Sequence, residues 1–159
     1  FLNLTEQVNE KGIEDALVEN ITDFLLELGK GFAYVGRQYH VPVGGVDFYL
    51  DLLFYHIDLE CYVVVELKAK EFKPEYVGKL GFYLTAVNEQ IKKPQHNPTI
   101  GILICREKNE IIAKYALGET NHPIGVSEFK LSKDFEKKIK KTLPLIEDLE
   151  KGLNDLGEE

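Results

Sequence analysis

The sequence predicts an α/β domain in which helices flank a central β-sheet. Apolar residues recur at helical spacing within the first 30 residues. Three runs rich in β-branched and aromatic residues follow, with short turns between them, and a helical segment separates these runs from another apolar strand. The predicted order of elements is α-β-β-β-α-β-α-β-α, in a single domain over residues 1–159.

The first predicted element is an amphipathic helix that ends near Gly29 or Gly31. At about 100° per residue, Glu14 falls on the edge of its apolar stripe and Glu19 on the far side. We therefore expect the side chain of Glu14 to point toward the part of the protein that the helix packs on, and that of Glu19 to face water. The stripe itself consists of Ile13, Ala16, Leu17, Ile21, Phe24, Leu25 and Leu28.

Three strands are predicted next, over Phe32–Val41, Val46–Tyr55 and Cys61–Lys68. The stretch PVGG, from Pro42 to Gly45, separates the first two, and HIDLE separates the second and third. Turns this short make neighbouring strands antiparallel.

A second helix is predicted within KPEYVGKLGFYLTAVNEQIKK, with Pro74 suited to its first turn. The run TIGILICR predicts a fully buried strand, NEIIAKYAL a short helix and IGVSEF a short strand. A last helix is expected from about Lys133 to Leu153. The core face of the second helix is predicted to be Val77, Leu80, Leu84, Val87 and Ile91.

Composition favours a soluble globular domain, because 44% of the residues are hydrophobic and 29% are charged. No apolar run approaches the roughly 20 residues of a membrane helix, and no signal peptide is visible. The two cysteines, Cys61 and Cys105, lie in apolar runs without metal-site spacing. We expect a cytoplasmic protein. Because the chain begins with Phe1 rather than Met, we also expect it to be part of a longer protein.

The net charge of −8 argues against a nucleic-acid partner, but the charge is unevenly distributed. Residues 1–60 carry 3 Lys/Arg against 11 Asp/Glu, a net −8, and residues 111–159 carry 8 against 10, a net −2. Residues 61–110 carry 8 against 6, a net +2. This local basic excess is compatible with an anionic ligand.

The stretch YLDLLFYHIDLECYVVVELKAK places charged residues inside an apolar hairpin. Glu66 and Lys68 are two residues apart and share a face of their strand. If the turn is Ile57–Glu60, counting back from the turn puts Asp51 opposite Glu66. Directly opposed residues have Cβ atoms about 4.5–5.5 Å apart, so the two carboxylates would lie side by side.

Opposed like charges destabilise a sheet unless something neutralises them. Mg²⁺ is held in many sites by one or two carboxylates, and Lys68 adds a compact positive charge for a phosphate or an attacking water. The pattern therefore predicts a metal-dependent phosphodiesterase centre. Spacing alone leaves another interpretation open, in which Glu66 and Lys68 are ordinary strand-end charges and Asp51 is a cap or pairs with an arginine.

The motifs LDLLF, with Asp51, and VELK, with Glu66 and Lys68, resemble those of the PD-(D/E)xK nuclease superfamily. The stretches IEDALVENITDFLLELGKGFAYVGRQ and KPEYVGKLGFYLTAVNE are more specifically similar to the C-terminal nuclease domain of bacterial YhcG-type proteins. This resemblance extends to about residue 130. It implies a restriction-endonuclease-like core, with a mixed central sheet in α-β-β-β-α-β order, and a further domain before this one. Leu50 departs from the superfamily pattern, because proline precedes the aspartate in its name-giving motif.

The resemblance also implies the roles of individual residues. Asp51 and Glu66 correspond to metal ligands, and the backbone carbonyl of Leu67 completes such a site in related proteins. Lys68 corresponds to the residue that orients the attacking water or stabilises the transition state. Glu14 matches a first-helix glutamate that assists the metal. The implied cofactor is Mg²⁺, for which Mn²⁺ can substitute, and the implied activity is endonucleolytic cleavage of DNA.

Further residues are candidates for nucleic-acid contacts, and each has a plain alternative as a solvated or half-buried side chain. Gln38 is expected near the site, and Arg37 on the opposite face of the same strand. A homodimer is a further expectation, because many nucleases pair to cut two strands. The competing function is a non-catalytic nucleic-acid- or protein-binding module that keeps the nuclease fold. The other candidate contacts are Lys70, Lys73, Lys79 and Tyr83.

Overall fold

The computed structural model describes residues 30–129 and four residues of a preceding helix, Gly12, Glu14, Asp15 and Val18. The predicted final helix and most of the first one lie outside these residues. The described part contains a five-stranded sheet in the order β1-β2-β3-β4-β5 with helices between strands. The strands are β1 Phe32–Val43, β2 Val46–His56, β3 Cys61–Glu71, β4 Ile100–Glu107 and β5 Ile124–Glu128, and the helices are Glu75–Gln90 and Glu110–Gly118.

The sheet is mixed, as the restriction-endonuclease-like prediction requires. Strands β1, β2 and β3 pair antiparallel, whereas β3, β4 and β5 pair parallel. The helix Glu75–Gln90, called the crossover helix below, carries the chain from β3 back to the start of β4. A parallel connection needs such a crossover, because the chain must return to the same end of the sheet. The predicted fold class is confirmed.

The hairpin between β1 and β2 is tighter than predicted. Val43 pairs with Val46, so the turn contains only Gly44 and Gly45, with φ angles of +59° and +80°. Two successive positive φ angles are the pattern of a type I′ turn, which glycine adopts without steric cost. Pro42, predicted to lie in the turn, is instead inside β1, where an edge strand tolerates a residue that lacks an N–H donor.

The hairpin between β2 and β3 has the predicted register. His56 pairs with Cys61 across the turn of residues 57–60, and the pairing continues to Leu52 and Val65. Continuing this register by one residue places Asp51 opposite Glu66. The side chains that carry the predicted chemistry therefore meet at the end of the paired region.

Both faces of the sheet are covered, which explains why β3 is an almost continuous apolar run. On one face the crossover helix packs Leu80 and Leu84 so closely on β4 that a Cβ on Gly101 would lie 3.0 Å from Leu80. On the other face Val18, 2% exposed, joins a second core with residues such as Leu67. Within the described ranges, no helix is long and apolar enough to span a lipid bilayer.

Candidate active site

Two carboxylates replace the backbone pairing where β2 and β3 separate. The backbone N–H of Asp51 donates a hydrogen bond to Glu66 Oε2 at 2.8 Å. In return, the backbone N–H of Leu67 donates to Asp51 Oδ2 at 2.9 Å. Each carboxylate is thus held by the main chain of the opposite strand. Asp51 and Glu66, called the acid pair below, are brought together as the register predicts.

The acid pair lies in a region where negative charge is costly. Glu66 is 5% exposed, and its burial followed by the nearby charge of Asp51 raises its pKa to about 8. Burial likewise raises the pKa of Asp51, against the lowering effects of the Leu67 hydrogen bond and the charge of Lys68. A buried carboxylate with a second one beside it is stabilised by a proton or a bound cation.

This electrostatic arrangement makes metal-free stability depend on pH. The pKa of Glu66 rises from 4.5 to about 8 on folding, so between these values the folded protein keeps a proton that the unfolded chain has released. The contribution is fully present below pH 4.5 and is lost as pH rises toward 8. We expect the free energy of unfolding in EDTA to fall across this window by up to about 5 kcal/mol.

Urea unfolding at pH values on both sides of this window measures the effect. Glu66→Gln is the matched control, because it cannot titrate, and the fall should be clearly smaller in this variant. Equal pH dependence of the two proteins would show that Glu66 is not the titrating group.

Two lysines add positive charge to the acid pair. Lys68 follows Glu66 by two residues on β3, so it lies on the same face, with Nζ 5.1 Å from the centre of the Tyr76 ring. Lys79 extends from the crossover helix, with Nζ 5.8 Å from the centre of the Tyr83 ring. The charge of each lysine lowers the pKa of both carboxylates, which places both cations beside the pair.

Tyr83 is a buried aromatic residue whose pKa is affected by the charges of the acid pair. Its side chain is 4% exposed, and burial followed by the charges of Glu66 and Asp51 raises its pKa to about 12. The hydroxyl therefore stays protonated at neutral pH and is available as a hydrogen-bond donor. Lys79 and Tyr83, one helical turn apart, thus both lie near the acid pair.

Gln38 reaches the acid pair from a distorted position in β1. Its neighbours Arg37 and Tyr39 pair with Leu52 and Leu50, but Gln38 has φ +45°, in the left-handed region. From there Nε2 donates a hydrogen bond to Asp51 Oδ1 at 3.4 Å. Arg37 points away, toward Asp15 on the first helix at 3.8 Å, so the two side chains diverge as expected.

The backbone at Gln38 gives a prediction about stability. A left-handed conformation costs a residue with a Cβ about 1–2 kcal/mol, whereas glycine adopts it freely. We expect Gln38→Gly to be more stable than Gln38→Ala by about 1 kcal/mol, although glycine is ordinarily the less stable residue within a strand. Urea unfolding of the two variants, in the same buffer, measures this difference. A less stable glycine variant would contradict the assigned backbone conformation.

The remaining candidates lie around this centre. Glu14 is half-buried on the first helix, one turn before the buried Val18, so it lies on the face that packs on the sheet. Lys70 and Lys73 are exposed, at the end of β3 and just before the crossover helix. Across the described residues, no three His, Cys, Asp or Glu side chains form a cluster that could hold a metal ion.

The donor atoms at the acid pair suit a hard divalent cation. Two carboxylates and the main-chain carbonyl of Leu67 are oxygen ligands, of the kind that Mg²⁺ and Mn²⁺ prefer. Both carboxylates are held in place by main-chain hydrogen bonds, and both are destabilised in their charged form by burial. A cation bound there would relieve this cost directly. The residues present therefore fit a site for one such ion, with water or substrate oxygens as its other ligands.

The same chain shows clear similarity to known proteins. Residues 1–144 match the family model of the YhcG PDDEXK nuclease domain. The chain is 37% identical over 139 residues to the Escherichia coli (strain K12) protein "Putative nuclease YhcG", an alignment that covers 87% of this chain and 37% of that protein. It thus spans little more than a third of that relative's length.

Two solved structures are similar to this chain at lower identity. The crystal structure of a repair endonuclease from Pyrococcus abyssi is 21% identical with a TM-score of 0.48, and the similarity covers 70% of this chain and 45% of that one. An EndoMS complex with double-stranded DNA is 20% identical with a TM-score of 0.47, covering 70% and 43%. The match over residues 1–144 decides the family: the chain belongs to the YhcG PDDEXK nuclease domain family.

Proposed function

We propose that this domain is a divalent-metal-dependent endonuclease that hydrolyses phosphodiester bonds in DNA at the acid pair. One observation carries the proposal: Asp51 and Glu66 are locked side by side by reciprocal main-chain hydrogen bonds, with Lys68 on the same face. An ordinary pair of strand-end charges would turn toward water. Here Glu66 is buried at a cost that a cation would offset. Membership of a nuclease domain family supports the same chemistry.

The carboxylates of Asp51 and Glu66 and the carbonyl oxygen of Leu67 would hold the metal, Mg²⁺ or in its place Mn²⁺. When bound, such an ion activates water and neutralises charge that develops on the phosphodiester. The protein contributes ligands that need no reorganisation, because the N–H groups of Leu67 and Asp51 already fix both carboxylates.

Three other side chains have distinct proposed tasks. The Lys68 ammonium stabilises the attacking water and the negative charge of the transition state. Lys79 holds a phosphate oxygen of the bound strand, and Gln38 keeps Asp51 oriented through its hydrogen bond. In the reaction, a water oxygen forms a bond to phosphorus while one bond from phosphorus to a sugar oxygen breaks.

A basic surface supports DNA as the partner. Lys70 and Lys73 extend the positive charge of Lys68 and Lys79 along the entrance to the crossover helix. Lysines arranged in this way neutralise successive phosphates of a nucleic-acid backbone. The acidic balance of the whole chain does not oppose this, because the residues near the site, 61–110, carry a net charge of +2 from 8 basic and 6 acidic side chains.

A cleavage screen tests the proposal. Circular plasmid, linear duplex, single-stranded DNA, branched DNA and RNA are each incubated with Mg²⁺, Mn²⁺ or EDTA. We expect cleavage of DNA with either metal and none in EDTA. Nicking of a covalently closed circle shows endonuclease action, because a circle has no ends. If the domain cuts none of these substrates and its unfolding does not respond to metal, the non-catalytic binding module is the better description.

Glu14 is proposed to support the metal site from the first helix. Removal of an outer contact at a metal site typically lowers activity by 10–100-fold. We expect Glu14→Gln to lower the rate of metal-dependent cleavage by about tenfold or more. Asp15→Asn is the matched control, because Asp15 is the next residue on the same helix and lies 3.8 Å from Arg37, which points away from the acid pair. Equal rates for the two variants would remove Glu14 from the site.

A further inference from the structure

The crossover helix carries a row of side chains that leads away from the acid pair. Lys79, Phe82 and Thr85 are three residues apart, so each lies about 60° around the helix from the one before. Lys79 stands on the side of the acid pair, whose pKa values its charge lowers. Thr85 lines a groove on another side of the helix. Phe82, which also lines this groove, lies on the helix between Lys79 and Thr85.

Phe82 presents an aromatic surface to solvent. The side chain is 41% exposed, and its ring centre lies 4.9 Å from that of Phe48 and 6.2 Å from that of Tyr83. Phe48 and Tyr83 also contact each other, with ring centres 6.2 Å apart. The three rings support one another, so the exposed ring is held in place. Its neighbour Tyr83 lies close enough to the acid pair for the charges of Glu66 and Asp51 to raise its pKa.

The groove beside Phe82 has a volume of about 620 Å³, within the range of sites for small organic groups. Gly78 and Gly81 are among the residues that line it, and a Cβ on Gly81 would lie only 3.0 Å from His122 Cδ2. Among the described residues that line it, none is Lys or Arg, and the polar groups are hydroxyls, an amide, an imidazole and the carboxylate of Glu119. Such a lining disfavours a phosphate and suits a flat group with hydrogen-bonding edges.

We propose that Phe82 and this groove form a subsite for an unpaired nucleobase next to the scissile phosphodiester. This inference rests on the proposed function and narrows its substrate class. The phosphates follow Lys68 and Lys79, while the adjacent base stacks on Phe82 and turns its edge toward the polar wall. That wall consists of Thr85, Thr120, Asn121 and His122.

The geometry selects a strand that is unpaired at the cutting site, such as a single strand, a flap or an overhang. In an intact duplex the bases are stacked inside and cannot reach an aromatic side chain without being flipped out. A base stacked on an aromatic residue strengthens binding whatever the identity of the base, because every base has a flat face. The subsite therefore discriminates by strand structure rather than by base identity.

Binding in EDTA tests this subsite without requiring cleavage. Fluorescence anisotropy gives Kd for a short single-stranded DNA and for a blunt duplex, with wild type, Phe82→Ala and Phe82→Trp. Tyr34→Ala is the matched control, because Tyr34 is also an aromatic residue with 41% exposure but lies on β1. A 2-aminopurine in the single strand reports stacking through quenching of its fluorescence.

We expect wild type to prefer the single strand, and Phe82→Ala to lose roughly tenfold or more in affinity for it with little change for the duplex. Phe82→Trp should retain affinity and quenching, and Tyr34→Ala should match wild type. Equal affinity of wild type for both DNAs, or a Phe82→Ala variant that binds the single strand normally, would overturn the subsite. The second result would instead indicate a protein contact surface. A preference for single strands without any cleavage would contradict only the nuclease proposal.

Discussion

Glu66→Gln is expected to abolish metal-dependent cleavage of DNA, and Lys68→Ala to have a comparable effect. Glutamine keeps the shape of Glu66 and an oxygen that can accept the hydrogen bond from the Asp51 N–H, but it removes the carboxylate that is proposed to bind metal. Alanine at position 68 removes the ammonium that is proposed to stabilise the transition state. Since metal-ion catalysis contributes several kcal/mol, a loss of about a thousandfold or more is expected.

The experiment separates chemistry from folding. Both variants are assayed with Mg²⁺ on the substrate that wild type cuts best, and their unfolding is followed in EDTA. Both should fold, and Glu66→Gln should be at least as stable as wild type in EDTA, because glutamine is neutral at every pH, whereas burial raises the pKa of Glu66 to about 8 and makes its charged form costly. Lys114→Ala is the control for general loss of positive charge, since Lys114 is exposed and lies on the helix Glu110–Gly118, outside the basic surface. Cleavage at the wild-type rate by either variant would contradict the assigned roles.

The acid pair could be predicted from sequence because it depends on local counting. The turn of residues 57–60 fixes the register of β2 and β3, and His56 pairs with Cys61 as expected. Alternation along each strand then determines that Asp51 and Glu66 meet. Core positions on the crossover helix were predictable for the same reason, because a 3.6-residue period assigns Leu80 and Leu84 to one face.

Features that depend on contacts between distant segments could not be predicted. The left-handed φ of Gln38 is enforced by the sheet around it, since nothing in the letters GRQY requires a positive φ. The reciprocal hydrogen bonds of the acid pair replace regular strand pairing, which counting alone would have continued. The contact between Phe82 and Phe48 joins a helix to a hairpin more than 30 positions earlier, so neither sequence segment reveals it.

The ends of two strands differ from their predicted positions, because the local sequence does not determine where a strand stops. Pro42 suggested a turn, yet the two glycines after it suffice to reverse the chain, and β1 runs on to Val43. Strand β3 extends past Lys68 to Glu71, because pairing with β4 continues through a register shift to Glu107. The sequence of one β-strand does not indicate how far the neighbouring β-strand extends.

Addition of metal is expected to reverse which of the two proteins, wild type or Asp51→Asn, is the more stable. Without metal, the substitution removes a carboxylate whose burial is costly and whose charge raises the pKa of Glu66, whereas the amide oxygen can still accept the hydrogen bond from the Leu67 N–H. The variant should be as stable as wild type or more stable, by on the order of 1 kcal/mol. With metal, wild type gains RT ln(1 + [L]/Kd), about 2.7 kcal/mol at 100 times Kd, and the variant does not.

The competing interpretation predicts the opposite sign. If Asp51 were a structural strand residue that stabilises the fold through its hydrogen bonds alone, Asp51→Asn would be less stable even in EDTA, and metal would change neither protein. Asp47→Asn is a suitable control, because Asp47 lies on the same strand and pairs with His40 at 2.7 Å, outside the acid pair. This control should respond to metal as wild type does.

The central claim, that Asp51 and Glu66 form a metal-binding pair, is tested most directly by urea unfolding of wild type and Asp51→Asn in EDTA and in excess Mn²⁺. The acid pair predicts a variant at least as stable as wild type in EDTA and clearly less stable in Mn²⁺, with the metal response confined to wild type. A variant that is destabilised in EDTA, together with a wild type that does not respond to Mn²⁺, would contradict the claim.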